Sequence, residues 1–394
     1  MHPVFQSNLS SAYFWMTGWT YLTQSMCGST TTELKATKRR RRHVLSTRRR
    51  RQRSWARRRG MRPAERDWLD ASDTERVWLL MSPLNTKKSV KETFGYKLRT
   101  MDAAYKIMQE QCASQHWPLP TKEAYAVWLK YMHLYPAFKD ARQTLSIHGY
   151  VDGVSDRYMV TQVLPAGYAL ALALKKDGTM LNWGDRLAGE YGAWNHGAHF
   201  DECFTHIWDG FPLPVQKPGT WYGDAEFLYQ GKYKACVYKG HLAISFWGGI
   251  VACSGPHPGT KNDNVIWEEE CLGPNAIYPS LPGEWGLGDM AYISCLRILT
   301  SRRHPKPGSS ERAWDKFDEF GRHLIAHYRS RVEIVIKKLK SHGWCQAIFR
   351  GSEDVLKRMF IATSHLTALE IKQDFDIDKK MMFECVGPWP HRFY

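Results

Sequence analysis

The hydrophobic period of this sequence changes twice along the chain, and that succession restricts the fold more than any other feature. From residue 68 to about 149 apolar side chains recur at helical spacing. Ala124, Val127, Trp128, Tyr131, Met132 and Tyr135 line one helix face, and Thr121 ahead of Lys122-Glu123-Ala124 supplies a cap. From about 150 to 310 the pattern becomes short apolar runs broken by Gly and Pro. Segments 204–215, 233–246, 249–254 and 285–293 read as strands. The helical period then returns in Leu324, Tyr328, Val332, Val335, Ile336 and Leu339. Gly321 is expected to divide off an earlier turn and Gly343 to stop the helix. A weaker helical pattern follows over 355–371. Strands followed by helices, with connections too long for a simple meander, predict a mixed α/β core.

Charge adds a segment that cannot join that core. The chain holds 55 Lys and Arg against 39 Asp and Glu, a formal net charge of +16. Fourteen of the basic residues lie in 38–62, with no acid among them; Arg39, Arg40, Arg41, Arg49 and Arg50 belong to this run. The rest of the chain, with 41 basic and 39 acidic residues, is close to neutral, which excludes a packaging protein that is polycationic throughout. A self-repelling run with almost nothing apolar is expected to be disordered when unbound. It reads as a nuclear-import signal, a nucleic-acid tether or both, with those five arginines as DNA contacts; the alternative is a solvated tail without a partner. Nine cysteines fall singly, with no CxxC pair, which argues against a disulfide framework or a zinc ribbon and for reduced intracellular thiols. No run of 18 apolar residues occurs, so no membrane span is expected, and the aromatic stretch 13–26 lacks the preceding positive charge of a signal peptide. The resulting division is 1–66 as leader and basic arm, 67–149 as a small helical domain that is a candidate DNA reader, 150–372 as the α/β domain, and 373–394 as a tail.

Three acids stand out by their surroundings. Asp209, in Thr205-His206-Ile207-Trp208-Asp209-Gly210, falls by alternation on the strand face of Thr205 and Ile207. Asp289, in Gly286-Leu287-Gly288-Asp289-Met290-Ala291, has small neighbours that admit a ligand. Glu333 sits beside a helical apolar stripe in a row with Arg329, Lys337 and Lys340. Carboxylates converging from separate elements are what two divalent cations about 3.5–4 Å apart require. A lone acid in a basic row, taken alone, reads first as a surface salt-bridge partner; the same row would suit an acid reaching a metal while its basic neighbours hold a DNA backbone, and spacing does not choose between the two.

Five segments occur in one order: Ile207-Trp208-Asp209-Gly210 with Pro212 and Pro218; Gly231-Lys232-Tyr233-Lys234; Gly249-Ile250-Val251 with Pro258-Gly259-Thr260-Lys261-Asn262-Asp263; Gly288-Asp289-Met290-Ala291-Tyr292; and Tyr328-Arg329-Ser330-Arg331-Val332-Glu333 with the lysines up to Lys340. Over about residues 120–372 this order resembles the catalytic domain of DDE-type transposases of the PIF/Harbinger group and their bacterial insertion-sequence relatives. The resemblance implies a ribonuclease H-like mixed sheet flanked by helices, with Asp209, Asp289 and Glu333 as the catalytic, metal-binding set for two Mg²⁺ or Mn²⁺ ions. It implies cleavage at transposon ends and strand transfer into target DNA, in the nucleus, by a homo-oligomer, with a separately encoded Myb-like DNA-binding partner. Arg329, Lys337 and Lys340 are the expected DNA contacts around Glu333. Three positions depart from the pattern: Met290-Ala291 replaces Ser-Gly after the second Asp, and Asn262 replaces a His. None removes an expected ligand. A DNA-binding protein that has lost the reaction, or a nuclease without strand transfer, would share the fold.

Other acids have simpler readings. Asp263 is expected to cap the helix that follows it, and Glu268, Glu269 and Glu270, being consecutive, to form a solvated face. His196 and His199 have ligand-like spacing without a completing partner, and Trp344 is expected to pack.

Overall fold

The computed structural model describes residues 61–136, 140, 143–147, 151, 153–177, 183–184, 204–217, 225–245, 248–282, 284–301, 305, 310 and 316–377. The Arg-rich run up to residue 60, His196, His199, Pro218 and the tail beyond 377 lie outside them. The chain divides into two units, Met1–Arg66 and Asp67–Tyr394. In the first, the described residues are 61–66, where Arg62 and Glu65 form an exposed ion pair at 2.7 Å.

The second unit opens with four helices: α1 (Asp73–Leu80), α2 (Lys87–Phe94), α3 (Leu98–Gln115) and α4 (Lys122–Leu134). Their starts follow capping chemistry. Ser72 and Glu75 form a reciprocal capping box on α1, and Thr121 accepts from the Ala124 N–H at 3.2 Å on α4. A π turn, Met159–Val163, leads into α5 (Leu164–Asp177). There Gly167 lets two helices approach, because a Cβ at that position would stand 2.3 Å from the Trp128 ring.

The sheet has six strands: β1 (Phe204–Pro214), β2 (Tyr229–Gln230) after the short α6 (Ala225–Leu228), β3 (Ala235–Ser245), β4 (Ile250–Pro258), β5 (Trp285–Leu287) and β6 (Ile298–Leu299). β3 is antiparallel to β1 on one edge and to β2 and β4 on the other. Beyond β1, β5 and β6 follow in parallel. The helix α7 (Asp263–Trp267), extended by the π turn Glu268–Leu272, packs on one face through Trp267 and Cys271 against Trp208 and Ala243. The opposite face receives α8 (Lys316–Leu339) and α10 (Glu353–Ile377), with the short α9 (Gly343–Gln346) between them. Ile207, Phe211 and Leu213 of β1 share that core with Tyr328, Val332, Val335, Ile336 and Leu339 of α8, with Phe360 and Leu366 of α10, and with the helices α1–α5. The expected α8 stripe is therefore buried, Leu324 aside, whose side chain is not among those described.

Several expected boundaries are corrected. The third strand runs on to Pro258, because its later residues keep pairing with β3 as far as Tyr238. The strand expected over 285–293 stops at Leu287, where Gly288 and Asp289 turn the chain into the 3₁₀ turn Met290–Tyr292. α8 passes through Gly321 unbroken and ends at Leu339; Gly343 begins α9 instead of ending α8. The segment after 353 is a long buried helix, carrying Glu370, 2% exposed at its side chain, bound to Lys338 at 3.2 Å.

Candidate active site

Register places the first two acids together. Ile207 on β1 lies opposite Leu287 on β5 in a parallel pair. Asp209 and Asp289 each lie two residues past that pair; both line one cleft, and Asp289 is near enough to raise the Asp209 carboxyl. Asp289 ends the strand itself: its Oδ1 accepts from the Ala291 N–H at 2.8 Å and caps the 3₁₀ turn.

The third acid comes from α8. Arg329, on that helix, brings Nη2 to 3.6 Å from Asp209 Oδ2 and to 3.9 Å from Glu333 Oε1. Glu333 is 64% exposed at its side chain while Asp209 is 14%. Burial pushes the Asp209 carboxyl up to about 6; the Arg329 charge opposes this, while Asp289 and, more weakly, Glu333 add to it. The three carboxylates thus share one electrostatic field, with the guanidinium between two of them. Lys340 reaches back over the Phe211 ring, its Nζ 5.5 Å from the centroid, and burial lowers its pKa. Lys337 is exposed. Arg39, Arg40, Arg41, Arg49 and Arg50 are outside the described residues.

A fourth carboxylate joins the site. Asp209, Asp263 and Asp289 line one cleft of about 250 Å³ together with Lys239, Arg329 and the turn residues Lys232 and Tyr233. The expectation that Asp263 caps its helix is overturned: α7 starts at Asp263, Asn262 holds the cap position without a side-chain bond, and Asp263 turns toward β3. Its Oδ1 accepts from Lys239 Nζ at 3.0 Å and meets His241 Nε2 at 3.3 Å. Burial raises its carboxyl, but the hydrogen bonds and charges of His241 and Lys239 outweigh this and hold it down to about 2. His241 continues to the buried Tyr292, whose hydroxyl is 3.4 Å from Nδ1. The chain Asp263–His241–Tyr292 therefore ends in the turn that Asp289 caps. Gly210, beside Asp209, leaves room for it, since a Cβ there would stand 2.9 Å from His241 Nε2. The sequence signal for this network is Lys239 and His241, two polar residues at strand spacing inside an apolar run, which demand a buried partner.

Glu270 is also unlike its expectation. It is buried, bonded by Ser254 and 3.1 Å from His257 Nε2, so the acidic run does not form a uniformly solvated face. Trp344 packs as expected, its Nε1 donating to Thr363 Oγ1 at 3.0 Å.

Among the described residues no three His, Cys, Asp or Glu side chains converge closely enough to hold a metal ion as they stand. The donor chemistry nevertheless fits a hard divalent cation. Asp209 and Asp289 are oxygen donors that line one cleft, Asp209 is desolvated and repelled by Asp289 and Glu333, and the Arg329 guanidinium stands 3.6 Å from it.

Residues 208–367 match the family model described as DDE superfamily endonuclease, a span that contains all four acids and Arg329. No curated protein and no solved structure gives a match. The match covers 160 of the 394 residues.

Proposed function

We propose that this chain is a DDE transposase of the PIF/Harbinger type that cuts transposon-end DNA and joins it to a target, using two Mg²⁺ or Mn²⁺ ions held by Asp209, Asp289 and Glu333. The observation that carries this reading is the cleft that Asp209 and Asp289 line together, each two residues past the last pair of the parallel strands β1 and β5, with the α8 acid acting on the same buried carboxyl. The strand order, three antiparallel strands followed by a parallel pair, supports a ribonuclease H-like sheet.

In this reading Asp209 must lose its proton before it acts as a ligand. Asp289 keeps one oxygen on the Ala291 N–H, which fixes the carboxylate plane. Arg329 gives up its place between Asp209 and Glu333 and turns its fork to a phosphate oxygen. Lys239 stays on Asp263, and Lys337 and Lys340 meet the DNA backbone further along α8. Bound divalent ions supply Lewis acidity at the phosphodiester and lower the pKa of the attacking water. The Arg-rich run adds phosphate contacts without sequence choice and serves nuclear import; a Myb-like partner and self-association complete the active assembly. Incubating the protein with pre-cut transposon ends and a target plasmid, with Mg²⁺, tests the reading: joined products support transposition, whereas nicking without joining reduces the function to a nuclease.

A further inference from the structure

The turn between β2 and β3 holds chemistry that the carboxylates do not explain. It is closed by two backbone bonds, from the Tyr233 N–H to the Gln230 carbonyl at 3.1 Å and from the Lys234 N–H to the Gly231 carbonyl at 3.3 Å, and Lys234 takes a φ of 50°. This closure presents Lys232 and Tyr233 to the cleft that Asp209 and Asp289 line. Tyr233 is 39% exposed, with Lys232 Nζ over its ring, 5.5 Å from the centroid. Gln230, in the same cleft, has a buried Oε1 with no hydrogen-bond partner among the described residues.

A partly exposed aromatic residue, an ammonium over its ring and an orphaned acceptor in the same cleft are complementary to one nucleotide: a base to stack on the ring's other face, a phosphate to neutralise, and a base N–H to donate. A base inside a duplex has both faces covered by its neighbours, so only an unpaired base can use such a ring. We propose that Tyr233, Lys232 and Gln230 form a subsite for one unpaired nucleotide next to the phosphodiester at the carboxylates. The subsite rests on the reading of those carboxylates as the cutting site, and it specifies that reading's substrate as DNA locally unpaired at the cut.

The test uses the full chain without divalent metal, at salt high enough to screen the Arg-rich run. A blunt duplex is compared with the same duplex bearing a short single-stranded overhang that contains 2-aminopurine. The overhang is expected to bind about tenfold or more tightly than the blunt end, with quenched fluorescence. Tyr233→Phe should keep both effects and Tyr233→Ala should remove them, while circular dichroism stays unchanged. Gln230→Leu should reduce the preference without abolishing quenching. Equal binding of the two DNAs, or a preference that survives Tyr233→Ala, overturns the subsite, as does a Tyr233→Ala defect confined to binding of another protein. Mn²⁺-dependent nicking of supercoiled DNA, measured in parallel, reads the carboxylates separately: overhang preference without nicking leaves the subsite standing and removes the cutting site.

Discussion

Arg329 reaches from α8 to within 3.6 Å of the Asp209 carboxylate on β1. The guanidinium is the strongest influence lowering a carboxyl that burial raises, and with both acting the carboxyl stands at about 6. Replacing Arg329 by Met should therefore raise the Asp209 pKa by about one unit or more. The acid limb of the pH–rate profile for Mg²⁺-dependent nicking should move to higher pH by the same amount. An unmoved limb would show that another group sets it.

The raised Asp209 pKa also sets a stability trend. Its folded value, about 6, lies above the ordinary 3.8, so the folded state binds more protons between those values and the metal-free protein loses stability as pH rises through that window. The ceiling on the loss is about 3 kcal/mol for a shift of about two units. Asp209→Asn should then raise the thermal midpoint above pH 6 and leave it unchanged below pH 4. Divalent ions should stabilise the parent protein more than this variant.

Gly210 and His241 are tightly fitted, and the Asp263–His241–Tyr292 chain depends on that fit. Gly210→Ala should cost about 1–3 kcal/mol by forcing His241 aside, and should slow nicking more than its loss of stability accounts for. Tyr292→Phe removes one buried hydrogen bond and should cost about 1 kcal/mol. Urea denaturation of both variants, read beside nicking rates, checks the order; a fully active Gly210→Ala protein would show that the chain is not needed to hold Asp289.

Removing residues 1–66 should weaken nonspecific DNA binding and flatten its salt dependence by roughly 0.9 in slope for each phosphate that the arm no longer neutralises. The nicking site should be retained. An unchanged salt slope would leave nuclear import as the only role of the Arg-rich run.

Whatever rests on one element at a time is legible in the sequence. The α8 stripe from Tyr328 to Leu339, the Thr121 cap and the β1 alternation through Asp209 follow from local period and capping chemistry. What is not legible depends on register between elements. The pairing of Ile207 with Leu287 that leads Asp209 and Asp289 into one cleft is set by sheet assembly, and the strand before Asp289 ends early because that same Asp turns back to its own backbone. Asp263 reads as a cap because it lies among three consecutive good caps ahead of a helix; its tertiary partners, Lys239 and His241, outcompete the local role. Glu270 misleads for a related reason: a consecutive acidic run looks solvated until one member meets Ser254 and His257.

Nicking of supercoiled DNA by full-length Glu333→Gln protein tests most directly whether the exposed α8 acid works with Asp209 and Asp289 as one ion-binding set. Losing a metal ligand should cost at least as much as losing a group behind it, so a fall of about 100-fold or more in Mg²⁺-dependent nicking is expected. Undiminished nicking in that variant would contradict the assignment of Glu333 to the set.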